Sequence, residues 1–172
     1  VPVHFETTLF FDNAVEQMGQ LVFKNENASG EPSRDKTFTL PVKLQKSSGE
    51  TTVVNAYFNA SGDNVCENVF PVQRILPKTQ SPARAALEQL LAGPKDIEKN
   101  AGLITNINPG VKIQSLTIEN GVAKVDFNDK LGEGVAGSCR VQAIRAQIET
   151  TLKQFPTVTS VVISINGNST EI

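Results

Sequence analysis

Hydrophobic positions along this chain change period several times. Val3, Phe5, Thr7, Leu9 and Phe11 alternate with mostly polar neighbours, the period-two pattern of a strand buried on one face. Leu21 and Phe23 mark a second short strand. Phe38, Leu40, Val42 and Leu44 mark a third, whose Pro41 points to an edge position or a bulge. The polar run from Lys46 to Glu50 reads as a linker. The boundaries are then a first module over 1–46, a linker over 47–51 and a second module over 52–172.

The second module is organised around Ser81 to Pro94, the most completely punctuated helix of the chain. Ser81 is placed to cap it, and Pro82 takes the first helical position, where a missing N–H costs nothing. Ala83, Ala86, Leu87, Leu90 and Leu91 form its apolar stripe. Gly93 suits the left-handed position that ends a helix, and Pro94 blocks continuation. Val53–Phe58 and Val69–Leu76 read as strands before it, the second interrupted by Pro71. Lys95 to Ala101 reads as one further helical turn. Val111–Phe127 reads as a hairpin turning at Asn120-Gly121 in type I′, with Ala123, Val125 and Phe127 on one face. Gly132, Gly134 and Gly137 predict a flexible loop. A second long helix follows over Ser138–Phe155, its stripe being Val141, Ile144, Ile148, Leu152 and Phe155. Pro156 ends it, and a last strand over Thr157–Ile165 buries Val161, Ile163 and Ile165. The order β-β-α-β-β-α-β fits two helices on one face of a small mixed sheet, an α+β class overall.

Composition narrows the functional classes. The 172 residues are 39% hydrophobic with a net charge of −2, and no basic stripe favours nucleic acid. No apolar run approaches the roughly 18 residues of a membrane span, and no signal peptide is visible. The chain starts inside an alternating segment, like a piece of something longer, so a targeting segment or lipid anchor upstream would not be visible in it.

Chemistry-bearing residues are few. Cys66 and Cys139 are too few for a paired CxxC metal site, and the single histidine, His4, is distant in sequence. A disulfide is the leading reading and free buried thiols the other. The bridge would close a loop of about 73 residues, stabilise by about 4 kcal/mol and place the protein outside the cytoplasm. Arg74, Arg84, Arg140 and Arg145 are candidates to hold an acidic partner or a cell-wall anion. Ordinary salt bridging with Asp126, Asp129, Glu133 or Glu149 is the simpler reading. Asp126, Asn128 and Asp129 alternate oxygen ligands but lack the spacing and closing glutamate of a calcium loop, so they read as a turn. The triplets starting at Asn27, Asn59 and Asn168 match the N-glycosylation pattern and read as loops. Glu119, Asp126 and Glu133 are the acids a wall hydrolase would have to use. No cofactor or metal is expected.

Gly19 to Leu44, GQLVFKNENASGEPSRDKTFTLPVKL, resembles the C-terminal half of the immunoglobulin-like domain of bacterial spore germination proteins. The matching positions are Gly19, Leu21, Lys24, Asn27, Ser29, Gly30, Pro32, Pro41 and Val42. Residues 52–172 resemble the GerMN domain of sporulation and spore germination lipoproteins. That resemblance is carried by FPVQR, SPARAALEQLLAGP, the NPGVKIQSLTIENGVAKVDF hairpin and the segment Gly137 to Gly167. It implies an incomplete immunoglobulin-like β-sandwich half followed by a two-helix, mixed-sheet α/β sandwich similar to the ring-building motif. The implied role is a non-enzymatic, extracytoplasmic scaffold, tethered to the membrane outside this stretch. The implied partners are proteins of the cell envelope, a second copy, or the missing sandwich half as a separate chain. Binding to peptidoglycan or another envelope polymer is the alternative, and wall hydrolysis a remoter one.

Overall fold

The computed structural model describes residues 49–169. The chain divides into two units at Glu50/Thr51, and the described residues form nearly all of the second. The immunoglobulin-like half expected over 1–46, with its three strands and His4, lies outside the described residues. The second unit runs β1 (Thr51–Ala60), β2 (Phe70–Pro77), α1 (Pro82–Leu91), α2 (Asp96–Asn100), β3 (Leu103–Ile104), β4 (Ile113–Glu119), β5 (Val122–Phe127), α3 (Ser138–Lys153) and β6 (Ser160–Ile165). A 3₁₀ turn, Asp129–Leu131, precedes α3.

The strands form two three-stranded sheets where one mixed sheet was expected. Their orders are β2-β1-β3 and β4-β5-β6. The first is antiparallel throughout. In the second, β4 and β5 are antiparallel while β5 and β6 are parallel. Val54, Ala56 and Phe58 of β1 alternate into the core. Pro71 does not interrupt β2. It pairs with Tyr57, whose N–H points away from β2 and donates to Thr151 Oγ1 at 3.2 Å. Tyr57 and Pro71 therefore exchange no ladder bonds, and the missing N–H of Pro71 falls on the outer edge, where a strand tolerates it.

The β4–β5 turn has the expected form, with φ of 51° at Asn120 and 82° at Gly121. Gly121 also holds the start of β6. Its carbonyl accepts from the N–H groups of Thr159 and Ser160, at 2.8 and 3.1 Å. A β-carbon at Gly121 would lie 2.7 Å from Thr159 Oγ1, so both the conformation and the space require glycine.

The helices close the core between the sheets. α1 buries Ala83, Ala86, Leu87 and Leu90 and stops at Gly93, φ 79°. Ser81 occupies the N-cap without a side-chain cap bond; its carbonyl accepts from the Ala85 N–H, which starts the helix. In α3, Ile144, Ile148 and Leu152 are buried as expected and Val141 is half-buried; the helix ends at Lys153, and Phe155, half-buried, lies just beyond it. Beside them runs a second buried stripe that the apolar pattern misses: Gln147 and Thr151, each 0% exposed, then half-buried Gln154. Gln147 accepts from Thr105 Oγ1 and the Asn106 N–H, and donates to the Ile104 carbonyl. Gln154 accepts from the Asn55 N–H and donates to its carbonyl, both at 2.8 Å, as a neighbouring strand would. The edge along which β1 could have joined a larger sheet is therefore taken up by helix side chains.

Replacing Gln147 by Leu keeps the volume but leaves the Ile104 carbonyl and the Asn106 N–H without that partner. Chemical denaturation should show a loss of about 2 kcal/mol. Gln142→Ala on the exposed side of the same helix should stay within about 0.5 kcal/mol of the parent.

Candidate interaction surface

The loop between β1 and β2 is fixed from three sides. Cys66 is joined by a disulfide to Cys139 in the first turn of α3, with a Cα–Cα distance of 5.2 Å. Asn59 Nδ2 donates to the carbonyls of Cys66 and Asn68, at 3.0 and 2.8 Å. Asp63 accepts from the Val65 N–H and from Asn68 Nδ2, and these bonds hold its carboxyl below the ordinary range. Asn59 was expected in a loop as part of a glycosylation triplet. It lies at the end of β1, is 5% exposed, and also accepts from Asn106 Nδ2. Its amide is committed to the fold, because a buried polar group needs partners.

The four candidate arginines are spread over three elements and are not gathered into one site. Arg74 of β2 is 6% exposed and forms a two-pronged ion pair with Glu98 of α2, at 2.6 and 2.7 Å. Its guanidinium carbon also lies 6.0 Å from the centre of the Phe58 ring. Burial disfavours the charged form of Glu98. The bonds from Arg74 and the Lys95 N–H outweigh that cost and keep its pKa below the ordinary value. α2 buries no side chain of its own, so this pair is its main tie to the sheet. Arg84 pairs with Glu88 one turn on and reaches the Ile113 carbonyl. Arg145 pairs with Glu149. Arg140 meets no carboxylate: it donates to the Gly134 carbonyl and to Asn108 Oδ1. With Asn108 Nδ2 donating to Lys130 and Glu133 carbonyls, it ties down the glycine loop before α3.

The acids do not converge either. Glu119 sits at the turn end of the hairpin and Asp126 near the other end. Asp126 Oδ1 accepts from Ser164 Oγ and the Gly167 N–H. Glu133 pairs with Lys130. Asn128 closes the turn before β4 by accepting from the Lys112 N–H and donating to the Gly110 carbonyl. Among the described residues no three His, Cys, Asp or Glu side chains are grouped to hold a metal. None of the described helices is long and apolar enough to cross a membrane.

What the surface does offer is apolar. Val53 and Ile75 face each other across β1 and β2 on the side away from the core, 55% and 38% exposed. Phe70 and Val65 stand exposed near the loop end of the same hairpin. A groove of about 320 Å³ opens beside β4, lined by Leu116, Ile118, Phe155 and the start of α1. A polar groove of about 360 Å³ runs along α3, but its Arg145 and Lys153 both pair with Glu149. Sequence reading singled out neither Glu98 nor the exposed pair. A lone glutamate in a short helix carries no signal, and an exposed face of a strand is visible only once both strands are paired.

A family model described as Germane: Sporulation and spore germination matches residues 55–171. No curated protein matches the chain. Among solved structures, the tandem GerMN domains of the sporulation protein GerM from Bacillus subtilis are 22% identical, with a TM-score of 0.60. That likeness covers 87% of this chain and 53% of the other, so the chain spans about half its length. The first GerMN domain of the same protein is 23% identical over 69% of this chain and 85% of the other, with a TM-score of 0.49. The first of these likenesses supports the fold.

Two outcomes follow from the geometry. Glu98→Gln should cost about 3 kcal/mol near neutral pH, because it leaves the Arg74 charge buried without its counter-ion. The Glu98 pKa is lowered on folding, so its contribution is complete above the ordinary value of 4.5 and is lost as pH falls through the lowered one. The gap between parent and variant in urea titrations should therefore narrow in acid. Reducing the Cys66–Cys139 bridge should lower stability by about 4 kcal/mol, read as a drop in the melting temperature with dithiothreitol.

Proposed function

We infer that this chain, which belongs to the Germane family of sporulation and spore germination, works by binding other proteins of the cell envelope, outside the cytoplasm and without catalysing a reaction. One observation carries the reading. Every buried side-chain polar atom among the described residues has a partner, whereas eight large apolar side chains stand 36% to 62% exposed. Polar chemistry is spent inside the domain, and apolar area is left for contact. Exposed apolar patches mark interaction sites when they are contiguous, as Val53 and Ile75 are. The disulfide supports an oxidising compartment. A tether to the membrane outside the described residues completes the reading.

The test is cross-linking of the membrane-tethered chain in living cells, comparing the parent with a Val53→Lys, Ile75→Lys double variant. Both positions are exposed, so folding stability should change by no more than about 1 kcal/mol. Cross-links to envelope proteins should be present in the parent and weakened in the variant. A parent that cross-links to no envelope protein, or that releases soluble fragments from purified cell wall, would overturn the reading.

A further inference from the structure

The Cys66–Cys139 bridge lies open to solvent: Cys139 is exposed and Cys66 half-buried. Exposed disulfides are the ones that exchange with outside thiols, whereas protected structural ones resist reduction.

The two sulfurs sit in opposite electrostatic surroundings. Cys139 lies in the first turn of α3, a helix of 16 residues. No side chain caps that helix, and no acid stands in its first turn. Its first backbone bond runs from the Val141 N–H to the Gly137 carbonyl, so the N–H groups of Ser138, Cys139 and Arg140 have no partner within the helix. Their partial positive charge favours a thiolate at Cys139. Arg140, the next residue, adds a full charge. It meets no carboxylate and is fixed by Asn108 Oδ1 at 2.6 Å and the Gly134 carbonyl at 3.2 Å. Glu133, the nearest acid along this stretch of chain, is paired with Lys130.

Cys66 has the reverse neighbourhood. Exposed Glu67 follows it, Asp63 stands in the same loop, and residues 61–69 include no cation. Arg145 shares a groove with Glu67, but its guanidinium is paired with Glu149. Negative charge nearby disfavours a thiolate at Cys66. When the bridge breaks, the electron pair is therefore better placed on Cys139.

Opening the bridge acts locally. The buried side chains of α3 begin at Ala143, and its bonds to β1 come later still, from Thr151 and Gln154. The β1–β2 loop keeps bonds of its own. Asn59 holds the Cys66 and Asn68 carbonyls, and Asp63 holds the Val65 N–H and the Asn68 amide. The bridge is the covalent link between the two, and it sets where the loop, with exposed Val65, sits against the start of α3.

We propose that the Cys66–Cys139 bridge is a thiol-exchange site, opened by an external dithiol that attacks Cys66 and expels Cys139, and that its opening releases the β1–β2 loop from the start of α3. A thiolate of the dithiol bonds to Cys66 Sγ, the S–S bond breaks, and its electron pair leaves with Cys139 Sγ. The second thiolate of the dithiol then bonds to the first and releases Cys66, which takes a proton from water. Two electrons pass in all: the dithiol ends as a disulfide and the bridge as two reduced cysteines. This goes beyond the protein-contact reading and does not depend on it.

The test treats the intact, oxidised chain with reduced glutathione in native buffer, quenches with iodoacetamide and maps both cysteines by peptide mass. Glutathione on Cys66 with alkylated Cys139 should outnumber the reverse arrangement about tenfold, and the preference should vanish in the urea-unfolded chain. Arg140→Gln should lower the preference about threefold, and Arg140→Lys, which keeps the charge, should restore it. After reduction with dithiothreitol, the Val141 and Gln142 amides should exchange hydrogen about tenfold faster, while those of Ile148 and Leu152 keep their protection. A bridge that stays closed at glutathione levels that open it in the unfolded chain would overturn the proposal. So would an adduct on Cys139 or one shared equally. Faster exchange along the whole of α3 would also overturn it, because the bridge would then hold the fold and not the loop.

Discussion

The fold depends on one helix serving two kinds of surface at once. α3 turns Ile144, Ile148 and Leu152 into the apolar core, and turns Gln147, Thr151 and Gln154 onto backbone. The three polar residues sit four and three positions apart, so they lie along one side of the helix. Thr151 and Gln154 meet groups that no strand reaches, the Tyr57 N–H and both backbone groups of Asn55, while Gln147 adds a bond to the Ile104 carbonyl beside β1. Leaving a buried backbone group unpaired costs on the order of 1–3 kcal/mol, so this stripe decides where the first sheet stops. It explains why the strands form two separate sheets around a shared core.

The remaining polar links extend that frame outward. The disulfide and Asn59 fasten the β1–β2 loop to the start of α3. Arg74 and Glu98 fasten α2 to β2, with the guanidinium laid toward the Phe58 ring. Arg140 and Asn108 fasten the glycine loop. Each link spends a charge or an amide that might have served a ligand. Arg74 and Arg140 thereby act as fasteners of the fold, while Arg84 and Arg145 pair with a glutamate one turn along their own helices.

Much of the architecture was legible in advance. The α1 stripe, the Asn120-Gly121 turn and the alternation in β5 rest on local periodicity and backbone conformation, which a short window of sequence contains. The arginines were legible as residues but not as a site. Arg74 finds Glu98 across 24 residues and Arg140 finds Asn108 across 32, so neither partner can be read from spacing. Pro71 looked like a break because its tolerance depends on which way Tyr57 points its N–H, a property of the neighbouring strand.

Sequence by itself determined the long elements and most of their apolar core positions, since amphipathic period, proline and glycine act over a few positions. It also carried the family, through motifs spread over residues 55–171. Tertiary structure alone decided how the edges of the described strands are treated: β2 blunted by prolines, the free side of β1 covered by threonine and glutamine from α3, and the end of β6 folded back on itself. An edge is a relation between strands far apart in the chain. Its backbone groups are spoken for, or free, only after every other element has taken its place.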